Sequence, residues 1–332
     1  ARIGGVAFTG STATALKIRK TMAAHCAAGT PLIAETGGLN AMIVDSTALP
    51  EHAVRDIVNG SFRSAGQRCS ALRCLYVQED ISEKLIKMLK GAMNELVVSD
   101  PWLLSTDVGP VIDAAAHKTI ADHITQAEAE GRLIHTLQSP STGTFISPAV
   151  IRVNGIADMT REIFGPVLHI ATFKANDLDK VIDEINATGY GLTFGLHTRI
   201  DDRVQTIVEK IEAGNIYVNR DQIGAVVGSQ PFGGEGLSGT GPKAGGPYYL
   251  PRFTAPKAAP IAEAWTTDAD IAALTKTLKA KSHAMPNAPT DLPGPTGESN
   301  RHSTRARGPI LCMGPSEAAT KAQVAAVTAL GG

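Results

Sequence analysis

The sequence predicts an α/β protein in which parallel or mixed sheets are flanked by helices. From position 167 onward, strand-like and helical segments alternate, as in VLHIATF, DLDKVIDEINAT, GLTFGLHT, DDRVQTIVEKIEAG and NIYVN. This alternation indicates two consecutive βαβ units with parallel strands and right-handed crossovers. The chain has 332 residues, 43% hydrophobic and 19% charged, which suits about two compact domains with real cores.

The composition disfavours several classes of partner. The formal net charge is −1 and no basic cluster occurs, so no feature of the charge pattern favours nucleic acid or an anionic membrane. No apolar run approaches the roughly 20 residues that span a bilayer, and we expect no secretory leader. These observations predict a cytoplasmic protein. The spacing of the four cysteines does not fit a zinc site or a disulfide framework, so we expect no metal.

Both ends of the chain indicate a segment of a longer polypeptide. The sequence begins at Ala1 without an initiator methionine and enters a strand almost at once. It stops at ALGG directly after a helical segment. We therefore interpret the sequence as a fragment.

The first predicted element is a strand, Val6 to Thr9, followed by Gly10, Ser11 and a helix. A helix that begins after a strand and a glycine turn presents free N–H groups where a pyrophosphate can bind. The full dinucleotide fingerprint GxGxxG is absent, and an ordinary strand-to-helix turn has the same appearance. Both interpretations stay open on local grounds.

Glu35 lies in the apolar stretch LIAETGGLNAMIVD, next to Gly37 and Gly38, where the backbone can bend or be approached closely. An acid in such surroundings is a candidate general base with a raised pKa. The alternative is a solvated loop acid.

Cys69 lies between a predicted helix, PEHAVRDIVNGSF, and a predicted strand, LRCLYV. A thiol on a tight segment between these elements is rigid yet partly exposed. Arg68 and Arg63 lie close in sequence and would favour the thiolate, which is the nucleophilic form. The alternative is a small buried side chain without chemistry.

Beyond Cys69, SEKLIKMLKGAMNEL and DVGPVIDAAAHKTIADHITQAEAEG predict two helices, and LIHTL predicts a strand. The segment TREIFGPV then places Glu162 and Phe164 beside a Gly-Pro turn. An acid there suits ribose hydroxyls and a phenyl ring suits a flat cofactor, but a turn acid with a core phenylalanine is an equal alternative. We interpret His123, His169 and His197 as structural or solvated.

The segment from Ser229 to Gly246 is dense in glycine and carries Ser238, Thr240 and Lys243. Its many exposed N–H groups can bind a carboxylate or phosphate; the alternative is a flexible linker. The segment is short and irregular for a linker, and PYYLPRF, which follows at once, predicts a strand.

From about position 254 to 305 the composition shifts to Ala, Pro, Thr and Lys, with one possible helix at DADIAALTKTLKA. This shift predicts a domain boundary. RGPILCMGPSEAATKAQVAAVTAL then predicts a strand and a helix.

Five motifs, in this order, resemble the aldehyde dehydrogenase superfamily. They are FTGST (8–12), ETGGLN (35–40), GQRCS (66–70), EIFGPV (162–167) and PFGGEGLSG (231–239). The resemblance covers Ala1 to about Lys257 and implies an aldehyde-dehydrogenase-like fold. GSQPFGGEGLSGTGPKAGGP and GPTGESN (294–300) further resemble the glutamate-semialdehyde (pyrroline-5-carboxylate) dehydrogenase half of PutA-type bifunctional proline-catabolic proteins.

The resemblance implies a mechanism and a cofactor. Cys69 would attack the aldehyde to form a thiohemiacetal, with its own backbone N–H as one oxyanion donor. The hydride would pass to NAD, and Glu35 would activate the water that hydrolyses the thioester. The implied activity is oxidation of glutamate semialdehyde to glutamate.

The resemblance also implies binding residues for the cofactor and the substrate. Gly10 and Ser11 match the family's phosphate contacts, and Phe8 belongs to the same motif. Glu162 and Phe164 match the clamp on the nicotinamide ribose. The residues expected to receive the substrate carboxylate are Ser70, Ser238, Gly239 and Thr240.

The resulting domain assignment has five parts. Residues 1–38 would end an NAD-binding domain that contributes a partial Rossmann element, and 39–245 would form the catalytic α/β domain with the substrate loop 229–246. Residues 246–258 would form an edge strand for homo-oligomer assembly, and 259–305 a linker. Residues 306–332 would start a further C-terminal α/β domain.

Two features depart from the family pattern. Many members have glycine where this chain has Ala15. The family's oxyanion-hole asparagine, its adenine-ribose lysine and most Rossmann strands are not in these residues, so we expect the 332 residues alone to have little or no activity. A PutA-like parent would also contain an FAD-dependent proline dehydrogenase half and, in some members, a DNA-binding segment.

Two alternatives remain. One is a dehydrogenase for a different acidic aldehyde, such as succinate semialdehyde. The other is a non-catalytic module that keeps the fold and assembles through PYYLPRF; the presence of Cys69 and Glu35 counts against it.

Overall fold

The computed structural model describes residues 3–27, 29–254, 289–305, 310–314 and 316–329. The strands are β1 Val6–Thr9, β2 Leu32–Glu35, β3 Ala41–Val44, β4 Cys74–Gln78, β5 Leu133–Thr136, β6 Ala149–Arg152, β7 Val167–Phe173, β8 Tyr190–Gly191, β9 Thr193–His197, β10 Asn215–Val218, β11 Glu235–Gly236, β12 Thr290–Leu292 and β13 Asn300–His302. The helices are α1 Thr12–His25, α2 Pro50–Phe62, α3 Glu79–Asn94, α4 Ala114–Ala129, α5 Leu178–Ala187, α6 Asp201–Lys210, α7 Tyr249–Thr254 and α8 Glu317–Ala329.

A seven-stranded sheet with the order β10-β9-β3-β4-β7-β6-β5 forms the centre of the molecule. Each neighbouring pair is parallel except β5 and β6, which are antiparallel. The predicted α/β class with a mainly parallel sheet is therefore confirmed. The two βαβ units also form, but α5 carries the chain from β7 past β4 and β3 to β9, so the first unit joins strands that are not neighbours.

Helices cover both faces of this sheet, which explains why its central strands are apolar without alternation. On one face α2, α3 and α4 pack through residues such as Ile57, Leu89 and Ile120. On the other face α5 and α6 pack through residues such as Ile182 and Ile207. Successive residues of a strand point to opposite faces of the sheet. Because helices cover both faces, all four residues of β3 are buried.

A second, smaller unit consists of β1, α1 and β2, in which the two strands pair in parallel. Helix α1 begins after Ser11, whose side chain accepts a hydrogen bond from the N–H of Thr14, as an N-cap residue does. The loop that follows β2 leads into β3 and so joins this unit to the large sheet. An isolated antiparallel bridge between Glu35 and Gly239 connects the end of β2 to the glycine-rich segment.

The predicted strand at PYYLPRF is wrong where the structure describes it, because residues 249–254 form helix α7. Pro251 lies in the first turn, where a helix needs no N–H donor, whereas in a sheet it would remove a ladder hydrogen bond. Tyr249 and Phe253, four residues apart, place their ring centroids 6.0 Å from each other. Side chains four residues apart lie on the same face of a helix, so the contact between these two rings fits a helix.

The prediction that 259–305 is a linker also fails in its described part. Residues 289–305 contain the β12–β13 hairpin. Glu298 of this hairpin pairs with Arg220, and Arg305 donates to the carbonyl of Val208 at 2.6 Å, near the end of α6. The possible helix at 268–280 lies outside the described residues.

At the C-terminal end, helix α8 agrees with the prediction. The described residues 310–314 have no strand pairing, so the strand predicted before α8 is absent there. A strand forms only where a neighbouring strand is available for pairing, and the hydrophobic pattern of the sequence does not show whether one is present.

Candidate active site

Cys69 lies on a strained turn between α2 and β4. Ser64 and Ala65 have φ values of 56° and 52°, in the left-handed region that residues with side chains rarely adopt. Gly66 follows with φ +64°, and a Cβ there would lie 2.1 Å from the carbonyl oxygen of Gly165. Strain of this kind persists only where the surroundings fix the backbone. The turn therefore holds a half-buried thiol in one position.

Asn40 anchors the backbone on both sides of the thiol. Its side-chain nitrogen donates to the carbonyl of Cys69 at 2.6 Å and to that of Ala71 at 2.9 Å. Its side-chain oxygen accepts from the N–H of Thr193 at 3.2 Å. Because Asn40 is buried, water does not compete for these bonds. The ETGGLN motif thus supplies structural support as well as Glu35.

Arg73, which the sequence interpretation missed, is fully buried beneath the Cys69 turn. Its guanidinium donates to the carbonyls of Gly66 at 2.7 Å and Arg68 at 3.1 Å. It also pairs with the carboxylate of Glu162 at 3.1 Å. A signal was present in the sequence, since an arginine inside the apolar run LRCLYV requires a buried partner.

The expectation that Arg68 and Arg63 favour the thiolate is wrong. The pKa of the Cys69 thiol is raised, first by burial and then by the negative charge of Glu162. The N–H groups of Ser70 and of Cys69 itself act in the opposite direction. Arg68 instead donates to the hydroxyl of Ser64 at 3.0 Å. The thiol is therefore protonated at neutral pH and has to lose its proton before it can act as a nucleophile.

Glu35 lies at the end of β2, where the glycine-rich segment covers it. The N–H of Gly234 donates to one carboxylate oxygen at 2.7 Å, whereas the other oxygen is buried without a partner among the described residues. Burial is the main cause that raises the pKa of Glu35 to about 7, with Gly234 and Lys243 opposing it. The charge of Glu35 also raises the pKa of Cys69, so the carboxyl and the thiol lie within electrostatic reach of one another.

The glycine-rich segment is held in place by Lys243. Its ammonium group is largely buried, as its lowered pKa reflects, and donates to the carbonyl of Gly233 at 2.8 Å and the side-chain oxygen of Asn215 at 3.2 Å. Phe232 and Ala244 pair in an antiparallel bridge that closes the loop. These contacts contradict the interpretation of the segment as a flexible linker.

Ser238 and Thr240 fasten this loop to its neighbours. Ser238 is fully buried, and its hydroxyl accepts from the N–H of Gly191 at 3.1 Å. Thr240 donates its N–H to the carbonyl of Ala34 and accepts the N–H of Ala34 at its hydroxyl, each at 2.9 Å. Their role toward the substrate carboxylate stays a prediction, and the structure gives both hydroxyls a supporting role.

Ser70 lies next to Cys69, and Gly239 lies next to Glu35. Ser70 follows Cys69 and is 5% exposed. A Cβ on Gly239 would lie 2.7 Å from both carboxylate oxygens of Glu35, so only glycine fits here. Their predicted contacts with the substrate likewise stay predictions.

The residues predicted to hold the cofactor form two groups. Gly10 and Ser11 precede α1, and the ring of Phe8 lies 2.5 Å from the position of a Cβ on Gly10. Glu162 keeps a 19% exposed side chain while bound to Arg73, and Phe164 is 44% exposed. The free N–H groups of a helix N-terminus, a carboxylate and an exposed ring suit a dinucleotide's phosphates, ribose and flat base.

The described residues contain no cluster of three His, Cys, Asp or Glu side chains that would hold a metal ion. In the same residues no helix is both long and apolar enough to cross a bilayer. His169 and His197 are buried, and the Nε2 atoms of His123 and His169 lie 2.9 Å apart, so these histidines have structural surroundings.

Comparison with known proteins gives a consistent match. Residues 1–259 match the aldehyde dehydrogenase family. The chain is 44% identical over 369 residues to the bifunctional protein PutA of Salmonella typhimurium, an alignment that covers 100% of the chain and 28% of that protein. It is 38% identical over 224 residues to the 1-pyrroline-5-carboxylate dehydrogenase of Bacillus cereus, covering 66% of the chain and 43% of that protein.

Solved structures agree. A crystal structure of a bifunctional proline utilization A (PutA) protein is 52% identical with a TM-score of 0.74, covering 76% of this chain and 26% of that one. The 1-pyrroline-5-carboxylate dehydrogenase from Thermus with bound NAD is 34% identical with a TM-score of 0.70, covering 76% and 49%. The chain thus spans about 28% of the length of the PutA relatives it matches.

Proposed function

The chain belongs to the aldehyde dehydrogenase family, as its five motifs indicated, and from that premise we propose that its parent protein oxidises glutamate semialdehyde to glutamate with NAD. The relatives that support this proposal are named bifunctional protein PutA and 1-pyrroline-5-carboxylate dehydrogenase. The parent is then a PutA-type bifunctional enzyme of proline catabolism, cytoplasmic and homo-oligomeric, with FAD bound only in its proline dehydrogenase half.

Cys69 is the nucleophile in this proposal. Its sulfur forms a bond to the aldehyde carbon, and the carbonyl oxygen becomes an alkoxide beside the N–H of Cys69. The thiol proton has to leave first, because burial keeps the pKa of Cys69 raised. That proton passes to solvent water, and Glu35, with a pKa of about 7, stays available as the base of the later hydrolysis step.

The residues on the cofactor side fit a nicotinamide dinucleotide. Gly10 and Ser11, at the N-terminus of α1, would hold the pyrophosphate. Glu162 would accept hydrogen bonds from ribose hydroxyls, and the exposed ring of Phe164 would cover the nicotinamide side. When bound, NAD supplies the acceptor for the hydride that leaves the substrate carbon.

Glu35 then completes the reaction. As a carboxylate it removes a proton from water, whose oxygen attacks the thioester carbon, and the Cys69 sulfur leaves as a thiolate. The bond from Gly234 fixes one carboxylate oxygen, which leaves the other oxygen, without a hydrogen-bond partner among the described residues, to accept the proton. The product acid departs and the thiol is restored.

The glycine-rich segment 229–246 would select the substrate. Its N–H groups offer a binding place for the α-carboxylate of glutamate semialdehyde, in the part that Lys243 makes rigid. Residues 1–38 and 39–245 would serve as the end of the cofactor domain and the catalytic domain. Residues 306–332 would begin a further domain.

The observation that carries the proposal is the coupling of two groups. Glu35 has a pKa of about 7, and its charge raises the pKa of the Cys69 thiol, which lies 34 positions away in the motif GQRCS. Structural acids in solvated loops do not acquire such a pKa.

The test uses the purified parent protein and the variant Glu35→Gln. We expect the variant to release about one NADH per Cys69 in a rapid burst, followed by turnover roughly 100-fold slower, because the thioester accumulates. Mass spectrometry should detect the acyl group on Cys69. The matched control is Glu95→Gln, which alters an exposed glutamate on the surface and should retain wild-type turnover.

Two results would contradict the proposal. One is a steady rate without a burst and without acylated Cys69 in Glu35→Gln. The other is a reversed substrate preference. We expect kcat/KM for glutamate semialdehyde to exceed that for succinate semialdehyde by about tenfold or more, since only glutamate semialdehyde carries an α-amino acid group. The reverse order would favour the alternative dehydrogenase.

A further inference from the structure

Arg73 makes an unusually complete set of contacts for a buried charge. Its Nε and Nη2 donate to one oxygen of Glu162 at 3.2 and 3.1 Å. Nη1 donates to the carbonyls of Gly66 at 2.7 Å and Gly165 at 3.2 Å, and Nη2 also donates to Arg68 at 3.1 Å. All three guanidinium nitrogens are thus used. Only the planar fork of arginine satisfies acceptors in so many directions.

These acceptors come from two separate segments of the chain. The carbonyls of Gly66 and Arg68 belong to the turn that carries Cys69. Glu162 and the carbonyl of Gly165 belong to the segment that faces the cofactor side. The guanidinium also lies 5.1 Å from the ring centroid of Phe164, within the range of a cation–π contact. The side chain of Arg73 therefore connects the Cys69 turn to the segment that contains Glu162 and Phe164.

A third segment meets the same carboxylate. A Cβ on Gly37 would lie 1.9 Å from the second oxygen of Glu162, so the absence of a side chain at Gly37 makes room for the acid. The N–H of Gly38 also acts on Glu162 as a hydrogen-bond donor. Since Gly37 and Gly38 follow Glu35, the ion pair is in contact with the segment that carries the candidate base.

The pairing matters because Arg73 is 0% exposed. A buried guanidinium is costly unless a counter-charge and hydrogen bonds compensate it. Among the described residues Glu162 is the acid that pairs with it. Glu162 therefore cannot be treated as a cofactor ligand alone, since it also neutralises the residue under Cys69.

We propose that Arg73 is a positioning residue that holds the Cys69 turn and the Glu162–Phe164 segment in one fixed arrangement, with Glu162 as its counter-ion. The inference rests on the proposed function insofar as it concerns catalysis. Its structural part, that the reactivity of Cys69 depends on Arg73, stands independently of the substrate.

The test compares Arg73→Met and Arg73→Lys with a matched control in the parent protein. The control is Arg203→Met, which removes another arginine that neutralises a buried acid, Asp45, at 2.7 Å. Among the described residues, no hydrogen bond or ion pair joins Asp45 or Arg203 to the Cys69 turn. The control thus reproduces the loss of an ion pair without altering the candidate site.

Three readouts separate positioning from mere folding: the alkylation rate of Cys69 by iodoacetamide as a function of pH, the KM for NAD, and kcat. We expect Arg73→Met to lower kcat/KM by about 100-fold, as misplacement of reacting groups does, and to slow alkylation at pH 8 by about tenfold. The alkylation pH profile should shift upward, because Glu162 and Glu35 then face the thiol without the guanidinium. Arg203→Met should lower Tm but leave all three readouts within about twofold.

Arg73→Lys keeps the charge but not the fork, so it should restore the KM for NAD more than the alkylation rate. This variant also decides the question if Arg73→Met does not fold. Wild-type alkylation and kinetics in Arg73→Lys, or in a folded Arg73→Met, would overturn the proposal. If the wild-type parent fails to oxidise aldehydes, the proposed function fails, while the alkylation series still tests Arg73.

Discussion

The proposed nucleophile side of the candidate site, around Cys69, and its proposed phosphate side, around Gly10 and Ser11, are held in place by different contacts. Cys69 is surrounded by buried groups of the large sheet, with Asn40 3% and Arg73 0% exposed. Helix α1, which presents the phosphate-side N-terminus, buries only Met22 among its residues, and Leu16 on the same helix is 46% exposed. A cleft of about 320 Å³ lined by Met22, Cys26 and Leu32 lies open beside it.

The difference teaches that two equally recognisable motifs can be unequally supported. GQRCS is fixed by hydrogen bonds from at least two other segments of this chain. FTGST has a cap and a two-stranded sheet, and little packing beyond them. We therefore expect substitutions around Cys69 to have strong effects, and substitutions of exposed α1 residues to have small effects on the stability of the 332-residue chain.

The largest expected effect is on the chemistry alone. Cys69→Ala in the parent protein should lower aldehyde oxidation by about 10⁴-fold or more, since the proposed covalent intermediate forms on the Cys69 sulfur. NAD affinity, measured by calorimetry, should change by no more than about threefold. An equal loss of NAD affinity would show that the two sides of the site are not separable.

The next effect contrasts the two cores. Phe62→Ala, at a fully buried core position that ends α2 just before the Cys69 turn, should lower the free energy of unfolding by about 3–5 kcal/mol. Leu16→Ala should change it by less than about 0.5 kcal/mol, because that side chain is nearly half exposed and alanine favours a helix. Urea denaturation of the 332-residue chain measures both values, and similar values would remove the contrast.

The smallest expected effect is a pH dependence of the hydrolysis step, which arises from Glu35. The pKa of Glu35 is raised from 4.5 to about 7, and in the proposed mechanism Glu35 acts as a carboxylate. The hydrolysis step should therefore slow about tenfold per pH unit below 7 and level off above it. Single-turnover measurements of thioester decay at a series of pH values check this prediction. The fall in rate below pH 7 should be absent in Glu35→Gln.

The same raised pKa predicts a stability difference with a definite sign. Because the folded state binds the Glu35 proton more tightly than the unfolded state, the stabilisation from this group is full below about pH 4.5 and is lost as pH rises through about 7. Glu35→Gln should thus be more stable than wild type at pH 8. The free energies of unfolding of the two proteins at pH 8 test this prediction. A larger value for wild type than for Glu35→Gln would contradict it.

Much of the fold was predictable from local pattern. The helix at Pro50–Phe62 has its proline at the first position and a strong apolar face, and the alternation after residue 167 gave the order of strands and helices correctly. The strand prediction at PYYLPRF failed because apolar and aromatic content does not distinguish a strand from a short helix. The linker prediction failed because the docking of 289–305 depends on distant partners such as Arg220.

The sequence by itself determined the residue types and the family: a thiol, an acid and three glycine-rich or turn motifs in a fixed order. Only the tertiary structure decided how these groups behave. It raised the pKa of Cys69 where neighbouring arginines suggested the opposite, and it brought Arg73 against Glu162 from 89 positions away. The physical reason is that burial and long-range pairing, which set protonation and position, depend on contacts between segments that no local pattern contains.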